Sequence, residues 1–235
     1  MPDYARMEKP VENSTADHLA LTLVLDVSGS MTAPAASGKS AIQLVNEGVN
    51  QMIGELAADG RLSKIVDLSI ITFGEPGREE VYQPFAPIGQ VSPINLVANH
   101  GSTYAAAAID KAIENTRSRM KLYRGGAWKP WIVFMTDGHL HDDVAQVATK
   151  IRQREAAGKL RMFCLGVGDQ YNSSQLRELT DNALALNSSK LREFFCWLGR
   201  SVAVVSQSAT NAQVTLPTNT DPNNPGQAIF GMVLN

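Results

Sequence analysis

The chain has 235 residues, of which 44% are hydrophobic and 19% charged, and its formal net charge is -2. That is enough apolar material for one α/β domain with a full core, and it excludes wholesale disorder. The slight negative charge argues against broad nucleic-acid or anionic-membrane binding, which needs a basic surface, so neither is expected as a partner.

In chain order, Met1 to Asp17 is polar and charged, without the apolar h-region or small-residue cleavage site of a secretory signal. Residues 1–18 read as a flexible lead-in, and the chain as cytoplasmic. Leu19 to Asp26 is a near-continuous apolar run, which predicts a strand buried on both faces. Lys39 to Ala58 places Ile42, Val45, Val49, Met52, Ile53 and Leu56 at helical spacing. Ile65 to Phe73 predicts a second buried strand, broken by Gly74-Glu75-Pro76-Gly77. Val81 to Phe85 fits a short edge strand, because Pro84 cannot donate to a central ladder.

A loop with Pro87 and Pro93 leads to Gly101-Ser102-Thr103, after which Ile109, Ala112, Ile113, Thr116 and Met120 mark a helix. Trp131 to Thr136 predicts a strand. Val144, Val147, Ala148 and Ile151 give the next helix, with Asp142 or Asp143 as its N-cap and Gly158 just past its end. Leu160 to Val167 is a strand, Ser173 to Thr180 a short helix and Ala183 to Leu186 a short strand. Leu191, Phe194, Phe195, Leu198 and Val202 line a last helix capped by Ser188 or Ser189. Residues 209–235 are rich in Asn and Pro and read as a tail or short β segment. No run approaches the roughly 18 apolar residues of a membrane span. The two cysteines, Cys164 and Cys196, lie in apolar runs and read as core residues, too few for a Cys-only metal site. The alternation predicts a mostly parallel sheet with helices on both faces.

Ligands in such sheets gather at the carboxyl ends of the strands. Asp26 ends the first strand and Asp137 follows the strand ending at Thr136. On neighbouring strands, about 5 Å apart, the two carboxylates would repel, and one would be driven to protonate. A divalent cation removes that conflict. Ser28, Ser30 and Thr103 complete a hard oxygen shell that suits Mg²⁺ or Mn²⁺ better than Zn²⁺.

Asp26-x-Ser28-x-Ser30, then Thr103 preceded by Gly-Ser, then Thr136-Asp137-Gly138, resembles the metal-ion-dependent adhesion site (MIDAS) of von Willebrand factor A (vWA) domains, over about residues 19–208. The resemblance implies a doubly wound fold with six strands in the order 3-2-1-4-5-6, a short antiparallel edge strand, and a metal held by Asp26, Ser28, Ser30, Thr103 and Asp137. It further implies that a partner protein's Asp or Glu fills an open coordination position, often with a shift of the last helix. Within the family, Trp128 to Gly138 and Phe194-Phe195-x-Trp197 resemble intracellular bacterial proteins of the tellurite-resistance TerY type. Those proteins imply a stress-response setting with kinase or phosphatase partners.

Competing readings are blander. Asp26, Ser28 and Ser30 could form a strand-ending turn, and Thr103 a helix N-cap. His139 and His141 read as exposed loop residues rather than a transition-metal pair. Gly38-Lys39-Ser40 imitates the end of a phosphate loop, but Ala33 stands where the motif needs Gly. Two further functions are weighed against protein capture. In a Mg²⁺-dependent phosphohydrolase Asp26 would be the nucleophile, yet Ser28 replaces the second acid expected two residues on. The other is a structural subunit with a purely stabilising metal. A non-enzymatic binding module is the expectation.

Overall fold

The computed structural model describes residues 16–34, 38–210, 212–221 and 227–232. Most of the expected lead-in, residues 1–15, lies outside the described residues. Seven strands form one sheet in the order β3-β2-β1-β4-β5-β6-β7. They are β1 (Leu19–Asp26), β2 (Val66–Phe73), β3 (Glu80–Pro87), β4 (Trp131–Thr136), β5 (Arg161–Val167), β6 (Ala183–Leu186) and β7 (Phe230–Met232). The central pairings are parallel. β3 and β7 close the two edges antiparallel. The expected six-strand order is present, with β7 added by the C-terminal segment.

Successive side chains of β1 point to opposite faces, and both faces are buried. Leu19, Leu21, Leu23 and Leu25 enter one core with α1 (Ala41–Ala58) and α6 (Leu191–Ser206). Val24 enters the other, with α3 (Ala106–Met120), α4 (Ala145–Ala156) and α5 (Ser173–Leu179). Each buried leucine stabilises the fold by roughly 1.5–3 kcal/mol. The short α2 (Leu62–Ile65) leads into β2. Pro84 sits on edge strand β3, beside register shifts in the β2–β3 ladder, where its missing N–H costs nothing to a central pair.

Helix starts differ from expectation in instructive ways. Ser40 forms a capping box with Gln43 at the start of α1, leaving Lys39 outside the helix and paired with Glu47 at 2.7 Å. Asp143 accepts the Ala145 N–H at 2.8 Å beside α4, but Asp142 does not cap α4. It caps α3 instead, accepting the N–H groups of Ala105 at 3.0 Å and Ala106 at 2.7 Å. Thr103 is therefore not the cap of α3. Neither Ser188 nor Ser189 caps α6: they lie in a 3-10 turn, Ser188–Lys190, capped by Asn187, and α6 starts after Lys190 without a side-chain cap. Cys164 is buried and Cys196 half-buried, and both are free thiols.

The C-terminal segment packs on the domain. Trp197 Nε1 donates to Pro217 O at 3.1 Å, and Phe230 lies 4.8 Å from the Trp197 ring. Lys190 pairs with Asp221. At the amino ends of β1 and β2, Asp67 Oδ2 accepts the Tyr123 hydroxyl at 2.6 Å and Arg119 Nε at 3.3 Å, and stands 3.3 Å from His18 Nδ1. Asp67 and Arg119 are fully buried and His18 nearly so, so the folded body begins before β1.

Candidate metal centre

β1 and β4 run side by side with Leu25 opposite Met135, which brings Asp26 to Thr136 at the carboxyl end of the sheet. Asp26 is fully buried. Its Oδ1 accepts the Ser28 N–H at 2.7 Å and its Oδ2 accepts the Thr136 hydroxyl at 2.6 Å. Asp137 Oδ1 accepts the Ser30 hydroxyl at 2.6 Å, and Ser30 Oγ stands 2.9 Å from Ser28 Oγ. Short hydrogen bonds thus tie two serines to one carboxylate, while the neighbouring carboxylate is anchored from below.

Thr103 reaches the same point from the loop before α3. That loop runs along the Asp26–Ser30 turn: Val27 O accepts the N–H groups of Asn99 and His100, and Gly29 N donates to His100 O at 2.7 Å. A Cβ on Gly138 would stand 3.7 Å from Thr103 Oγ1 and 3.9 Å from Ser30 Oγ, so both hydroxyls flank one residue of the β4 loop. All five predicted residues converge on this strand end.

The electrostatics differ in cause from the sequence argument. Burial is what pushes the Asp26 carboxyl up to about 6. The Asp137 charge adds the smallest push, and hydrogen bonds from Ser28 and Thr136 pull back. Asp137 is also raised, again by burial, with the Ser30 hydrogen bond opposing. Desolvation, more than mutual repulsion, makes the site costly to hold as a pair of anions. A cation relieves that cost. The donor set fits a hard one: two carboxylates and three hydroxyls, all oxygen. Among the described residues no group of three or more His, Cys, Asp or Glu could hold a metal, so charge at this site is limited to two carboxylates.

The residues that hold Thr103 in place were not among the predicted site residues. His141 binds it twice: His141 N donates to Thr103 O at 2.9 Å, and His141 Nδ1 accepts the Thr103 N–H at 3.0 Å. On the other flank, Glu75 Oε1 accepts the Gly101 N–H at 3.0 Å and His100 Nδ1 accepts the Glu75 N–H at 3.2 Å. Gly74 permits this approach, because a Cβ there would lie 2.3 Å from the His100 ring. A His four residues after Asp137 carried no periodic signal. His139 and His141 are both exposed, as expected.

A family model for the von Willebrand factor type A domain matches residues 20–195. The chain belongs to that family. Among solved structures this vWA chain is similar to proximal thread matrix protein 1 from the mussel byssus, described with a zinc-occupied MIDAS motif, at 17% identity and TM-score 0.56, over 81% of this chain and 49% of that one. It is similar to the pilus adhesin SpaC from Lactobacillus rhamnosus GG at 14% identity and TM-score 0.60, covering 84% and 32%. It is also similar to the hypothetical protein BatB from Bacteroides thetaiotaomicron at 17% identity and TM-score 0.55, covering 81% and 100%. The vWA chain thus spans about half the length of the mussel protein and about a third of the adhesin. No curated protein matches it by sequence.

Proposed function

We propose that this vWA domain captures a partner protein through a divalent cation, Mg²⁺ or Mn²⁺, held by Asp26, Ser28, Ser30, Thr103 and Asp137. The observation that carries the reading is the convergence of these five oxygen-bearing side chains, from three separate loops, around a buried carboxylate that is costly without a cation. A bound cation would offer an open position to a partner's Asp or Glu. With only two carboxylates of its own the site does not repel a third. The zinc-occupied motif of the mussel protein supports metal binding by this fold, and the pilus adhesin supports a binding role.

A non-enzymatic role is part of the same reading. As a phosphohydrolase nucleophile Asp26 would need an accessible oxygen, yet it is fully buried with both oxygens hydrogen-bonded. The residues behind the TerY-type resemblance, Trp128, Trp131, Phe194, Phe195 and Trp197, are all buried. They pack the core, so the cytoplasmic, stress-response and kinase or phosphatase parts of the reading rest on sequence resemblance.

The test is affinity capture from native cell extract with Mg²⁺, with Mn²⁺ and with chelator, using wild type and Asp26→Asn. Capture that needs the cation and is lost in the variant is the expected result. Equal capture with chelator overturns the proposal, and cation binding by calorimetry without any change in capture assigns the metal a stabilising role only. Turnover of a phosphate ester that disappears in Asp26→Asn would replace the binding reading with a catalytic one.

A further inference from the structure

A large cleft lies at the opposite end of the sheet from Asp26 and Asp137. It has a volume of about 1110 Å³ and lies between the C-terminal ends of α3 and α4 and the amino ends of β4 and β5, bounded by Thr210 and by Ala212 to Thr215. Six of its lining residues are cationic, Arg117, Lys121, Lys129, Arg154, Lys159 and Arg161, and none is acidic. The cations are largely uncompensated. Glu114 is shared between Arg117 at 3.2 Å and Arg154 at 3.6 Å. Lys121, Lys129, Lys159 and Arg161 make no ion pair among the described residues. In a chain whose net charge is -2, this concentration is a local field that selects anions.

Helix dipoles explain part of the pattern, since Arg117 and Arg154 sit in last turns, where cations offset the negative helix end. They do not explain Lys129 and Arg161, which lie beside the starts of strands. The floor is apolar: Ile113, Trp128, Leu160 and Ile132 are buried beneath the charged rim.

The kind of anion follows from what else the cleft offers. Phosphate sites use helix N-termini and their free N–H groups, but here α3 and α4 present carbonyl ends. Base stacking needs an exposed aromatic face, but Trp128 and Trp131 are buried, and Trp128 Nε1 is committed to Ser208 O at 3.0 Å. The open side is lined by Gln213, Val214 and Thr215, whose backbone groups make no hydrogen bonds among the described residues. An extended chain laid there finds both donors and acceptors.

We propose that this cleft is a second binding site that takes an extended acidic peptide segment of a partner protein. Its carboxylates pair with the rim of Lys121, Lys129, Lys159 and Arg161, and its backbone lies along Gln213–Thr215. The site is independent of the metal.

The probe is a fluorescein-labelled decaglutamate peptide, titrated by anisotropy into the full chain at low salt, with and without chelator. A single-stranded DNA oligonucleotide of matched charge and inorganic triphosphate compete in parallel. Binding should be saturable, indifferent to chelator and weakened about tenfold or more in Lys129→Glu/Lys159→Glu. The Lys64→Glu/Arg78→Glu pair, which changes net charge equally at exposed positions elsewhere, should bind within about twofold of wild type. All four residues are exposed, and an unchanged thermal midpoint checks folding. Equal weakening in both double variants shows a net-charge effect only and overturns the site. Absence of binding overturns it too. Tighter binding of the oligonucleotide or of triphosphate replaces the peptide as occupant.

Discussion

The two ends of the sheet solve opposite electrostatic problems. At the carboxyl end, Asp26 and Asp137 are negative groups set among hydroxyls, and burial raises both. At the amino end, a buried carboxylate, Asp67, is already met by Arg119, Tyr123 and His18, and the surface outside it is cationic. At the first end, neither Asp26 nor Asp137 makes an ion pair among the described residues. The other pairs its acid internally and leaves spare cations at the rim. Charge left uncompensated in the fold marks where a ligand belongs, whereas charge compensated inside it marks structure.

That contrast can be broken, most strongly at Asp67. Asp67→Ala leaves Arg119 buried without its carboxylate and should destabilise the domain by about 3–5 kcal/mol. Chemical denaturation reads the loss, and calorimetry on the folded variant should find metal affinity unchanged. The mirror experiment is Asp137→Ala, which removes a partly exposed carboxylate. It should weaken Mn²⁺ binding by more than the roughly 10–100-fold typical of losing an outer-shell partner, with little effect on the metal-free thermal midpoint. If Asp67→Ala abolished metal binding while Asp137→Ala unfolded the protein, the assignment of the two ends would be reversed.

A pH series sharpens the same contrast. The folded state holds the Asp26 proton more tightly than the unfolded chain does, because its carboxyl is raised from 3.8 to about 6. Its contribution to metal-free stability is therefore complete below about pH 4 and is lost as pH rises through about 6, by up to about 3 kcal/mol. Denaturation of wild type against Asp26→Asn across this range should show a steeper slope in wild type, the variant keeping the part that Asp137 contributes, and saturating Mn²⁺ should offset it. The smallest effect is expected at His141. His141→Ala should weaken Mn²⁺ binding by about 10–100-fold. His141→Asn, whose Oδ1 can stand where Nδ1 accepts the Thr103 N–H, should restore most of it. Failure of the Asn variant to rescue would show that His141 matters for packing rather than for holding Thr103.

Much of this was legible in the chain. Apolar runs such as Leu19–Leu25 could only be buried parallel strands, and the spacing of Asp26, Ser28 and Ser30 marked a strand-end ligand turn. Capping was less legible. Asp142 satisfies the first N–H groups of α3, not α4, because the β4 loop folds across the start of the earlier helix. Side-chain oxygens bond whichever free N–H is nearest in space, and sequence order does not say which that is. β7 was partly legible: residues 209–235 read as a tail or short β segment, and Phe230–Met232 pairs along the open edge that β6 offers.

By itself the sequence determined the local terms: which segments are strands, which helices, and which five residues place oxygen-bearing side chains at or just after strand ends and in the loop before a helix. These depend on periodicity and residue chemistry alone. Only the tertiary structure decided how those terms combine. It placed Thr103 between the clamps of His141 and Glu75, made burial rather than repulsion the force on Asp26, and gathered six cations from two helices and the adjoining strand starts into one cleft. The physical reason is that desolvation and electrostatic fields depend on distances between residues far apart in the chain, and folding alone sets those distances.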